Sequence, residues 1–190
     1  MISNIIDKNI IKIISYLLIS PGSRYTRKDL KEKTGMNNIP LDNTLKKLKS
    51  LKIIKEVSNL YYLNFEDEKA KNLLEIIQKE YKEFNLPYQI FNILLNIAEK
   101  LSKIKEIKEI LLFGSYSKLI YSPKSDIDIA IIFYDKIKNK NKLEEKINRE
   151  LIKISKKSKK QIEAHYFNDK DMNAKDPLVK DILKNNKRII

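Results

Sequence analysis

The sequence predicts an α+β chain in two parts: a small helical unit closed by a hairpin, then a mixed sheet with helices on its flanks. Three observations carry this. Apolar residues recur at helical spacing over 5–19, 66–84 and 89–108; two short alternating runs, 53–57 and 60–64, flank a two-residue turn; and strand-like runs at 110–113 and 127–134 lie either side of a Gly-Ser pair and two aspartates.

Taken in order, Ile5, Ile6, Ile10, Ile13, Ile14, Leu17 and Leu18 form one face of a first helix that Pro21-Gly22 stops. Thr26-Arg27-Lys28-Asp29 has the form of a capping box, in which Thr26 accepts from the backbone and Asp29 reaches back, and Gly35 ends that second helix. A third helix follows near Pro40. Leu41, Leu45, Leu48 and Leu51 form its buried stripe, leaving Asn43, Lys46, Lys47 and Ser50 on the opposite face. IIKEV and LYYLN then pair as a hairpin about Ser58-Asn59. Three helices and a hairpin in this order resemble the winged helix-turn-helix domains of prokaryotic transcription regulators. The resemblance implies DNA contact through Asn43, Lys46, Lys47 and Ser50, or else protein docking and homodimerisation. The face holds no arginine, and lysine mostly contacts phosphate, which argues against strong base readout.

An acidic helix over 66–84 and a second over 89–108, separated by Pro87, lead into the sheet. The expected boundaries are 1–65 for the winged-helix unit, 66–88 for a connecting helix and 89–190 for the second domain. Within the latter the order is strand 110–113, the Gly-Ser turn with a short helix, strand 127–134, helix 141–157, strand 161–167, helix 176–185 and a short strand at 188–190.

Leu111, Leu112 and Phe113 run directly into Gly114-Ser115. A glycine there lets the backbone turn sharply and bring amide hydrogens and the Ser115 hydroxyl up to phosphate oxygens. Ten residues later comes Asp126-Ile127-Asp128, where the isoleucines of 127–131 alternate with the second aspartate. Residues two apart on a strand lie roughly 6.6 Å apart along it, so both carboxylates can reach one divalent cation or a pair. Burying two like charges costs several kcal/mol, about the scale at which a cation becomes the natural compensation.

Gly-Ser, ten residues, then Asp-Ile-Asp resembles the signature of the nucleotidyltransferase superfamily related to DNA polymerase beta, in its minimal form. The resemblance covers roughly residues 89–190, including the final DPLVKDILKNNKRII. It implies two magnesium ions on Asp126 and Asp128, ATP or another nucleoside triphosphate as substrate, and transfer of a nucleoside monophosphate to an acceptor hydroxyl. It also implies a third carboxylate on a neighbouring strand, and Glu163 in QIEAHYF is the candidate, the other reading being a solvated edge residue. By the same resemblance Gly114, Ser115 and Lys118 hold phosphate. Minimal members adenylylate a tyrosine of a HEPN-type toxin and so act as antitoxins; such a partner is one expected acceptor. A regulator whose second domain senses a nucleotide without chemistry is the competing reading. The chain departs from the family pattern after Gly-Ser, where a small residue, arginine and glycine are usual and this sequence has Tyr116-Ser117-Lys118-Leu119. Lysine lacks the planar fork of arginine.

Composition bounds the remaining choices. The 190 residues, 42% of them apolar, suffice for two small cores. The absence of cysteine excludes disulfides and thiolate metal sites. No stretch approaches the roughly 20 apolar residues of a membrane span, so a cytoplasmic protein with no membrane partner is expected. The net charge of +14 favours polyanionic partners or a lysine-rich solvated surface. Its distribution is uneven: 12 basic against 5 acidic residues in 1–65, 4 against 6 in 66–88, and 23 against 14 in 89–190. The run 153–160, KISKKSKK, reads as a solvated helix end whose cations suit the C-terminal dipole. His165, the only histidine, reads as a packed or edge residue of its strand.

Overall fold

The computed structural model describes residues 7–135, 137, 139–172 and 176–190. Ile5 and Ile6 of the expected first helix lie outside them. The chain divides into two compact units between Asn92 and Ile93.

In the first unit, α1 (Lys8–Ile19) starts where the Asp7 carboxylate accepts from the Asn9 amide at 2.7 Å, and it packs on the elements that follow. α2 (Arg27–Thr34) has the expected capping box: the Asp29 amide donates to Thr26 Oγ1 at 3.2 Å and the Thr26 amide to Asp29 Oδ2 at 2.9 Å. Gly35 closes it at φ +63°, a left-handed conformation that glycine adopts without penalty. α3 (Asn38–Ser50) buries Leu41, Thr44, Leu45 and Leu48. Arg27 ties α2 to α3 by a two-pronged contact, Nε and an Nη donating to the two Asp42 oxygens at 2.6 and 2.9 Å.

The hairpin consists of β2 (Ile54–Val57) and β3 (Leu60–Leu63), and Ser58 and Asn59 between them both have positive φ, as a tight two-residue turn requires. A further strand is absent from the sequence-based expectation: β1 (Tyr25–Thr26) pairs antiparallel with β3, giving the order β1-β3-β2. Two residues are too few for alternation to show, and Thr26 was already read as a helix cap. α4 (Glu68–Phe84) follows, then α5 (Tyr88–Leu101), inside which the division between the units falls. α5 is shorter than the helix expected over 89–108. Ile104 and Ile107 keep helical spacing from Leu101, but they anchor successive turns, with Ile104 N donating to Leu101 O and Ile107 N to Ile104 O.

The second unit is built on a four-stranded mixed sheet of order β6-β5-β4-β7. β4 (Ile107–Phe113) runs antiparallel to β5 (Ile127–Phe133) and to the short β7 (Lys187–Arg188); β6 (Ile162–Asn168) runs parallel to β5. A parallel pair needs a crossover, supplied by α7 (Lys140–Ser158), whose Ile147, Leu151 and Ile154 are buried. Tyr166 on β6 donates its hydroxyl to Asn148 of α7 at 2.6 Å. On the other face Leu111, Phe113, Ala130 and Ile132 pack with Ile182 of α8 (Pro177–Lys184), with Phe167 and Met172 beside them. β5 therefore lies covered on both sides: Ile127, Ile129, Ala130, Ile131 and Phe133 are fully buried. Each such large apolar side chain stabilises the sheet by about 1.5–3 kcal/mol. No described helix is long and apolar enough to cross a membrane.

Candidate active site

β4 ends at Phe113 opposite Asp128 of β5, and the chain turns at once into α6 (Gly114–Ser117). Gly114 has φ +70°, and a Cβ placed there would sit 2.1 Å from Asp128 Oδ2. Glycine is favoured twice over: a side chain would strain the left-handed backbone and would have to displace the carboxylate against it.

Asp128 is half-buried, and its neighbours set its chemistry. Burial pushes its carboxyl above the usual carboxylate range; the charges of Glu163 and Asp126 add to this, and His165 opposes it. Strand pairing puts Glu163 of β6 beside Asp128, on one face with His165 and Phe167. The Glu163 side chain is exposed, and its Oε1 lies 3.3 Å from His165 Nε2. The His165 ring in turn meets the Phe113 ring edge-on at 5.3 Å. Asp126, half-buried, precedes β5, whose start is fixed by Ile127 N donating to Gln161 O at 3.0 Å.

These carboxylates are hard oxygen donors of the kind magnesium takes, and a cation would relieve the like charges gathered about Asp128. In donor chemistry they fit the ion. As placed, however, no three His, Cys, Asp or Glu side chains among the described residues stand close enough together to hold a metal. Glu163 shares its face and strand position with Asp128 but directs its carboxylate to His165.

The turn itself is braced from within. Ile120 N donates to Ser115 O at 3.0 Å, the Tyr116 ring stacks on Tyr121 at 4.6 Å, and Lys160 lies over Tyr116 while donating to Pro123 O. Lys118 is held by Asp181 of α8, Nζ to Oδ1 at 2.7 Å. Neither Asp181 nor its helix neighbour Asn185 was singled out from the sequence. Their four-residue spacing is legible as an intrahelical pair, but the segment they meet lies more than sixty residues away.

In the first unit, Asn43, Lys46, Lys47 and Ser50 are exposed on one face of α3, and Ser50 donates its hydroxyl to Lys47 O at 2.8 Å. Nearby cations are engaged internally: Lys49 with Glu56, Lys55 with Glu66, and Arg24 over the Tyr62 ring.

Residues 95–190 match the family described as Polymerase beta, Nucleotidyltransferase. No curated protein matches the chain. Among solved structures it is similar to a crystal structure of a toxin-antitoxin with AMP-PNP, at 21% identity and a TM-score of 0.38 over 51% of this chain and 72% of that one. It is also similar to a candidate nucleotidyltransferase from Sulfolobus solfataricus, at 23% identity and a TM-score of 0.33 over 53% of this chain and 80% of the other. By the match over its last 96 residues, the chain belongs to the polymerase beta nucleotidyltransferase family.

Proposed function

We propose that the chain transfers a nucleoside monophosphate, preferentially AMP from ATP, to a hydroxyl of an acceptor, with Asp126, Asp128 and Glu163 as the carboxylates that would hold magnesium. The observation that carries this reading is Asp128: a half-buried carboxylate, raised first by burial and then by its acidic neighbours, lying where a Cβ on Gly114 would meet it. Such groups cluster where chemistry is done. When bound, magnesium supplies charge neutralisation along the triphosphate and a more acidic attacking hydroxyl.

The residues have separate tasks. The Gly114 turn and Ser115 offer donors to the phosphates, and Lys118 adds positive charge. The acceptor oxygen bonds to the α-phosphorus as the bond to the bridging oxygen breaks and pyrophosphate leaves. The hydroxyl proton passes to Glu163, whose side chain is exposed. Family resemblance favours a protein acceptor, with a HEPN-type partner and an antitoxin role as the specific form.

Incubation with labelled ATP, magnesium and candidate acceptors is expected to release pyrophosphate and label a product. Asp126→Asn with Asp128→Asn is expected to abolish both. Magnesium-dependent binding without turnover by the unaltered protein would instead favour a nucleotide sensor.

A second reading concerns residues 1–65, as a winged helix joined by 66–88 to the transferase domain. Its support is the order α1-β1-α2-α3-β2-β3 and the exposed face of α3. DNA binding there is expected to weaken steeply with salt and to disappear in Lys46→Ala/Lys47→Ala. Salt-independent self-association lost with the same pair would point to a dimerisation module.

A further inference from the structure

We propose that Asp181 is a positioning residue that holds the Lys118 ammonium where a triphosphate is received, a role that rests on the nucleotide-transfer reading of the Gly114–Lys118 turn. The contacts converge on one short stretch of α8. Asp181 Oδ1 accepts from Lys118 Nζ at 2.7 Å and from Asn185 Nδ2 at 2.9 Å. Ser117 Oγ donates to Asn185 O at 2.6 Å and lies 3.0 Å from Gly114 O. Two successive residues of the turn are thus tied to one helix end.

That helix end is a rigid mount. Val179 and Ile182 are buried, and Ile182 packs with Leu111, Phe113, Ala130 and Ile132, residues of the two strands that present Gly114 and Asp128. Asp181 therefore links the ammonium to the same packed cluster that fixes the carboxylate. Lysine is a flexible four-carbon stem ending in a point charge with three donors, without the pre-organised fork of arginine. One donor engaged by Asp181 fixes the group and leaves two for phosphate oxygens. The Asp181 carboxyl is held below the usual range, first by Lys118 and then by Asn185, so the tether is charged throughout the neutral range.

The competing possibility is electrostatic: an anion beside a lysine diminishes its pull on phosphate, and removing it tightens binding. The two roles have opposite signs. Binding of magnesium ATP to the full chain is measured for wild type, Asp181→Asn, Lys118→Met and the double variant, with melting temperatures as a control on folding. Asp181→Asn keeps the hydrogen bond to Asn185 and removes the charge. It is expected to weaken binding about fivefold, the scale of one modest ion pair. In the Lys118→Met background it is expected to change nothing further, an outcome that a merely structural role does not produce. Asp181→Glu, which keeps the charge, is expected to recover most of the affinity. Unchanged or tighter binding by Asp181→Asn, or losses that multiply in the double variant, would overturn the proposal while leaving the transferase reading intact. Failure of the wild-type chain to bind magnesium ATP would overturn both.

Discussion

The matched acids of the first unit and Asp128 of the second are treated in opposite ways, although the second unit also holds matched acids such as Asp181. In the first, carboxylates are matched: Asp29 by the Thr26 hydroxyl and amide, Asp42 by Arg27, Glu56 by Lys49 and Tyr61, and all three carboxyls lie below the usual range. Tyr61, buried and facing Glu56, is pushed up to about 12. In the second, Asp128 is raised, first by burial and then by the charges of Glu163 and Asp126. Matched acids hold helices and strands together. An acid left against other acids stores unfavourable energy that a cation can release, which is why the candidate site is placed there.

The largest expected effect falls on the turn that lies against the Asp128 carboxylate. Gly114→Ala puts a methyl group into the carboxylate and a side chain into a left-handed backbone. It is expected to lower stability by about 2–4 kcal/mol in urea denaturation and to abolish transfer of labelled nucleotide. Next comes the matched region. Thr26→Ala removes one side of the capping box and is expected to cost about 1 kcal/mol in the same assay, without affecting nucleotide binding.

Leu119→Gly sharpens the contrast from the other side. Leu119 has φ +61° at the position where the family pattern has glycine, so the chain carries local strain beside its candidate site. The substitution is expected to raise stability by up to about 1 kcal/mol, measured by thermal melting.

The smallest effect is the most diagnostic, because one type of substitution should change sign between Asp128 and a matched acid. Asp128→Asn is expected to stabilise the metal-free protein at neutral pH, by less than about 1 kcal/mol since the carboxylate is partly in water. Asp42→Asn is expected to destabilise it. The pH dependence follows from the directions. Asp128 has a raised folded value, so its penalty is absent below the ordinary carboxylate range, near about 4, and complete above the raised value. Asp42 has a lowered folded value, so its contribution is complete above the ordinary range and lost as pH falls through the lowered value. Both differences should therefore fade in acid when melting temperatures are compared across pH. Same-sign effects at neutral pH would remove the distinction.

What could be read in advance was local or periodic. The Thr26 capping box, Gly35 and the Ser58-Asn59 turn follow from residues three or fewer apart, and strand alternation was enough to put Glu163 and His165 on one face of β6. β1 escaped because two residues carry no pattern, and α5 was read too long because turn-anchoring isoleucines imitate a helical stripe. At the candidate site, the glycine and aspartates were visible as a spacing. The close approach of Gly114 to Asp128, the Glu163–His165 contact and the Lys118–Asp181 bridge depend on how strands and helices meet, which no local pattern encodes.

The central claim is that the acidic crowding at Asp128 exists to hold a metal-bound nucleotide. Thermal melting of wild type and Asp128→Asn in rising magnesium with a non-hydrolysable ATP analogue tests it directly, since a ligand that binds only the folded state raises the melting temperature with its concentration. A magnesium-dependent rise in wild type and none in Asp128→Asn is predicted; equal rises in the two proteins would contradict it.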